Sequence, residues 1–186
     1  MKRSTRLTAG LVATAALAAP SAFATAQAAQ PDKPAKPAKP AKAQTKQLLK
    51  DIAGKDARLA RLSTSAAVTR LADDTEAELV SNLDGARAWL GDVRTSVEAA
   101  DSTVDTRAAR KELRSFRVEN FRIVVNILSK AERLEEPAAA DAEAAGHLAA
   151  AETAALDITA TSTKADIRAA RDHVKAAQAE LDAETA

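Results

Sequence analysis

His147 and His173 are the first residues in this chain to weigh for chemistry, because a neutral imidazole serves both as general base and as metal ligand. They stand 26 residues apart, which matches no local metal motif; His147 lies beside an apolar seam and His173 precedes Val174, so both read as solvated or half-buried side chains. The acidic pairs Asp73-Asp74 and Glu135-Glu136 would need a shared cleft with opposed environments to work as acid and base, and they fall near helix ends instead. With no cysteine there is no thiolate nucleophile, no disulfide and no Cys-ligated metal. No serine has a partnered base, no glycine loop could cradle a phosphate, and the lone aromatics form no sugar-stacking platform. The expectation is a non-enzyme with no catalytic residues, no cofactor and no metal site.

The N-terminus bears on compartment. Lys2, Arg3 and Arg6 precede the apolar run from Leu7 to Ala19, and Ala22-Phe23-Ala24 and Ala24-Thr25-Ala26 are small-x-small cleavage candidates. The run falls short of the roughly 20 residues that cross a bilayer, so residues 1–26 read as a cleaved export signal. The expected product is secreted or cell-wall associated. It has no cysteine to carry a lipid and no later apolar stretch to serve as a transmembrane anchor.

Residues 27–46 read as a disordered Lys/Pro/Ala-rich spacer. Proline at every third position, as in Pro34-Ala-Lys36-Pro37-Ala-Lys39-Pro40, favours an extended chain, and lysines keep it solvated. Lys33, Lys36, Lys39, Lys42 and Lys46 against Asp32 give a local charge of about +4, although the whole chain carries only +1. Loss of Lys2, Arg3 and Arg6 with the signal turns that +1 into −2. The five lysines are candidate contacts to an anionic cell-envelope polymer; export removes nucleic acid as the usual partner of such a tail.

Residues 47–186 carry helical periodicity and no strand alternation. Alanine supplies 49 of 186 residues, which suits closely packed helices better than a thick core. Leu48, Ile52, Leu59, Leu62 and Ala66 mark a first helix that Ser63-Thr64-Ser65 could break. Leu79, Leu83, Ala86, Leu90, Val93, Val97 and Ala100 alternate steps of four and three, a seam of the coiled-coil type, with Gly85 and Gly91 beside it. Ser102-Thr-Val-Asp105 reads as a capping box opening a third helix that runs to Glu136, where Pro137 stops it and starts a fourth. The fourth carries Ala144, Leu148, Ala151, Ala155 and Ile158; Thr163-Lys-Ala-Asp166 then caps a last helix with Ile167, Ala170, Val174, Ala177 and Leu181 on one side. The fold class is all-α: long antiparallel helices forming a bundle or coiled-coil-like domain. At an offset of 61 residues Ser102 matches Thr163, Asp105 matches Asp166, and Arg107-Ala-Ala-Arg110 matches Arg168-Ala-Ala-Arg171. A helical hairpin is therefore expected twice, over about 80–125 and 141–186, the two packing together.

Residues 111–130 contain no alanine. Leu113, Phe116, Phe121, Val124, Ile127 and Leu128 spread over a wide arc, which marks a central helix or a self-association surface. Asn120 falls in line with them and reads either as a buried, register-setting polar residue or as an exposed one, and Trp89 joins the set as a core candidate. Arg114, Arg117 and Arg122, interleaved with Glu112 and Glu119, read as a solvated face.

The stretch from Thr106 to Leu128, together with Ile167-Arg-Ala-Ala-Arg-Asp172, resembles uncharacterised alanine-rich secreted proteins of high-GC actinobacteria. The resemblance implies a long-helix or coiled-coil domain and brings no substrate or active residues. The functional expectation is an exported structural or protein-interaction module held at the envelope by its cationic tail. The alternative is a helical module binding a small apolar ligand near Trp89, Phe116 and Phe121; an enzyme of unknown class stands last.

Overall fold

Leu48, Ile52 and Leu59 line one side of α1 (Lys42–Ser63), where all three are buried, as their spacing predicts. The structure, a computed structural model, describes residues 42–184; the signal segment 1–26, spacer residues 27–41 (with Lys33, Lys36 and Lys39) and residues 185–186 lie outside the described residues. Lys42 and Lys46 are helical and exposed. The last spacer residues thus belong to α1, because no proline occurs between Pro40 and Pro137 and Lys, Ala and Gln are good helix formers. The Ser63-Thr64-Ser65 cluster does end α1. Ser63 Oγ and Thr64 Oγ1 donate to the Ala60 carbonyl at 3.0 and 3.3 Å, competing with the backbone ladder. Val68 and Leu71 plug the connection into the core.

Helix α2 (Asp73–Ala99) has no side-chain cap; Asp73, Asp74 and Glu76 in its first turn complement the positive helix terminus. Glu132 Oε1 accepts the Ala72 N–H at 2.7 Å. Leu79, Leu83, Leu90, Val93 and Val97 are buried along the expected seam, which lies chiefly against α1.

The single third helix expected from Ser102 to Glu136 is two. Helix α3 (Thr103–Ser115) ends at Phe116, and α4 (Val118–Ala138) starts after Arg117. Both junction residues are extended, Phe116 at ψ 111° and Arg117 at ψ 106°. A second correction concerns Pro137, which is the penultimate residue of α4 and not the first of the next helix. Proline there cannot donate to the Arg133 carbonyl and its ring crowds it, and α4 ends one residue later. Helix α5 (Ala142–Leu156) opens instead at Asp141, whose carboxylate accepts the N–H groups of Glu143 and Ala144 at 2.9 and 3.2 Å.

Both capping boxes form. Ser102 Oγ accepts the Asp105 N–H at 3.2 Å. At the start of α6 (Lys164–Glu184) the Asp166 carboxylate accepts the Thr163 N–H at 2.7 Å. The turn at 157–163 folds α6 back on α5, the most extensive pairing in the bundle. The first copy of the repeat does not match this. Helices α2 and α3 touch lightly, α1 is the main partner of α2, and the α3–α4 break has no counterpart within α6. The described residues form an all-helical bundle of six helices with no strand.

One main core runs through all six helices, with Phe121, Leu59, Leu79, Leu83, Leu90 and Leu128 among its most enclosed side chains. A thin second cluster, Ala131, Ala138, Ala144, Leu148, Ala177 and Leu181, closes the far end of α4, α5 and α6. No helix among the described residues is long and apolar enough to cross a membrane.

Candidate functional site

Breaking a helix inside a bundle strands backbone groups, and here tertiary partners take them up. The Arg117 N–H donates to the Ala160 carbonyl at 2.7 Å, and Lys55 Nζ donates to the Phe116 carbonyl at 2.6 Å. Asn120, 3 % exposed, sends its Nδ2 to the carbonyls of Thr159 and Ser162 at 2.9 and 3.2 Å. From the other side Asn82 Nδ2 donates to the Leu156 carbonyl at 2.9 Å. The α3–α4 junction and the 157–163 turn therefore hold each other in place.

This junction turns Phe116 onto Trp89, with ring centroids 5.0 Å apart and planes 9° from parallel. The Lys55 ammonium sits 5.6 Å from the Phe116 ring centre. Burial pushes it below its ordinary pKa, an effect that Glu119 opposes. Beside the stack a groove of about 340 Å³ opens between α2 and the turn, walled by Trp89, Phe116, Phe121, Ile158 and Ala160. Asn82, Thr159 and Thr161 stand on its polar side. Trp89 is half-buried, so a ligand there would meet one aromatic surface and a few hydroxyl and amide groups.

The other core candidates lie inside the chain. Leu113, Phe116, Phe121, Val124, Ile127 and Leu128 are all 5 % exposed or less. Val104 is the one exposed large hydrophobic residue among those described, and the broad arc at 113–128 packs chiefly into the core of its own chain.

The cations are arranged in a way that reading α3 and α4 alone did not reveal. Arg114 and Arg122 line grooves that α1 shares with α3 and the start of α4. One groove of about 450 Å³ collects Lys50, Lys55, Arg58, Arg110 and Arg114, with Asp51 as its only carboxylate. It meets a smaller groove at Arg110, where Arg107 is added, and a larger one at Arg58, where Arg61 and Arg122 are added. Ser65 Oγ, buried without a hydrogen-bond partner, borders the last of these. Glu119 reaches Arg58 at 3.4 Å between exposed side chains and offsets little of the charge. Arg117 is exposed but outside these linings. The missed signal was periodic: Arg107, Arg110 and Arg114 recur at helical spacing, as do Arg58 and Arg61.

The two histidines also come together. Folding α6 back on α5 sets the His147 and His173 rings 6.0 Å apart, centre to centre. Glu143 and Glu180, which the sequence did not single out, flank His147, and the donor atoms of these three lie within 4.8 Å of one another.

Comparison with known proteins finds no match to this chain among protein-family models, curated proteins or solved structures.

Proposed function

We propose that this chain is an exported helical interaction module that associates with an anionic polymer of the cell envelope. The observation that carries this reading is the connected set of cationic grooves between α1, α3 and the start of α4. Helix α3, at 13 residues, is about 20 Å long, enough to lay several charged units of a linear polymer along its arginines. The lysine-rich segment immediately precedes α1 in sequence, so its charge adds to that of the grooves in the same attachment. Export rests on the basic and apolar N-terminal sequence, and kinship with alanine-rich secreted actinobacterial proteins belongs to the same proposal. So does coiled-coil-like packing of α2 on α1, which the four-three seam supports.

The test is retention on purified anionic wall polymer, measured against salt concentration. The original chain should be retained at low salt and released as salt rises. Changing Arg58, Arg110 and Arg114 to Gln should reduce retention at least fivefold, and changing the five tail lysines to Gln should reduce it further. Retention unaffected by the arginine changes, or insensitive to salt, would overturn the reading.

A second reading has its own observation in the open groove beside Trp89. Small apolar ligands docking there would change the emission of the chain's only tryptophan. Titration with a panel of short-chain and aromatic apolar compounds that leaves Trp89 emission unchanged would rule this second reading out.

A further inference from the structure

The end of the bundle where α5 and α6 meet lies apart from both the cationic and the aromatic grooves. Its apolar core is thin: four of the six buried residues in that cluster are alanines, which bury little area each. Four metal-ligating side chains gather beside it. Glu143 and His147 are four residues apart on α5 and share a face. His173 and Glu180, seven apart on α6, share the opposing face two turns apart. These are the only two histidines in the chain, and the fold sets them ring to ring across the hairpin. No hydrogen bond or ion pair among the described residues engages any of the four side chains.

We propose that Glu143, His147, His173 and Glu180 form a binding site for a zinc-type divalent transition ion that staples the end of α6 to α5. The donor set is right for such an ion: two imidazoles and two carboxylates suit zinc and its neighbours, whereas calcium and magnesium call for oxygen alone. The geometry is close to what coordination needs. Tetrahedral bonds of about 2.0–2.1 Å place donor atoms about 3.3 Å apart and imidazole centres about 5 Å apart. The donor atoms of Glu143, His147 and Glu180 already lie within 4.8 Å of one another, and His173 joins them through its ring, 6.0 Å from that of His147, so rotations of these side chains would bring the four onto one ion. Glu143 is exposed and the other three are half-buried, so they have room to turn. Glu180 sits in the last five residues of α6, so the ion would order helical turns that the alanine-rich cluster holds weakly.

The experiment titrates zinc chloride into the full chain, carrying no polyhistidine tag, by calorimetry. One ion per chain is expected, at micromolar affinity or tighter, with magnesium and calcium failing to compete at hundredfold excess. Zinc at a hundred times its dissociation constant should raise the melting temperature by about 8 °C. His147→Asn and His173→Asn should each weaken binding at least tenfold, with helicity checked by circular dichroism. A wild-type readout guards against misfolded variants: the imidazole proton resonances, which come from these two residues alone, should both shift on saturation. Absence of saturable binding, imidazole signals that do not move, or a helical double variant that binds zinc within twofold of the original would overturn the proposal.

Discussion

Asn120 offers the most direct test of how the α3–α4 junction is held. Its side chain is 3 % exposed and donates two hydrogen bonds, one well formed at 2.9 Å and one longer at 3.2 Å, to carbonyls of the 157–163 turn. Each neutral bond contributes about 1 kcal/mol net. The acceptors belong to the exposed Thr159 and the half-buried Ser162, so water recovers part of what Asn120→Ala removes. Adding a small cavity term, the expected loss is about 2–3 kcal/mol, or roughly 5–10 °C in melting temperature. Asn120→Asp should cost more than Asn120→Ala, because it buries a carboxylate oxygen against two carbonyl oxygens. Urea denaturation followed by circular dichroism measures both, and amide exchange localises the effect: the Arg117 N–H, bound to the Ala160 carbonyl, should lose protection first. A loss below about 0.5 kcal/mol for Asn120→Ala, or equal losses for the two variants, would refute the view that this side chain holds the junction.

Two further outcomes follow from local environment. Gly91 is exposed within α2, and a Cβ added there meets no atom within 4 Å, so Gly91→Ala should stabilise the chain by about 0.5–1 kcal/mol at an unchanged urea slope. Burial, then Glu132 and Glu152, raises the Glu135 carboxyl above its ordinary pKa. It takes up a proton more readily folded than unfolded, so its contribution favours folding at acid pH and is lost as pH rises through the raised value. Glu135→Gln should therefore stabilise the protein at neutral pH, by less than about 0.5 kcal/mol because the side chain is exposed. That gain should vanish by about pH 4, and urea midpoints that differ equally at both pH values would contradict it.

Local patterns in the chain specified most of its helices. The four-three seam placed the buried face of α2, the Ser63-Thr64-Ser65 hydroxyls ended α1, and the two S/T-x-x-D boxes opened α3 and α6, because periodicity and capping act within a few residues of sequence. The apolar arc from Leu113 to Leu128 likewise marked a central segment, but whether Asn120 within it is buried or exposed was decided by the packing of the 157–163 turn against it. The break at Phe116-Arg117 was not legible there. Nothing local forbids helix at those residues; what ends it is a set of distant partners, Lys55 on the Phe116 carbonyl, Ala160 on the Arg117 amide and Trp89 on the Phe116 ring. The internal repeat shows the same division. Its caps survived in both copies, but its packing did not, since α1 took the surface of α2 that the hairpin symmetry assigned elsewhere. The cationic grooves join α1 to α3 and α4, and the His147–His173 pair joins α5 to α6. Residue types and helical phase come from the chain itself, but which helix faces which is decided by competition among apolar faces for burial, and only that competition brings such side chains within reach of one another.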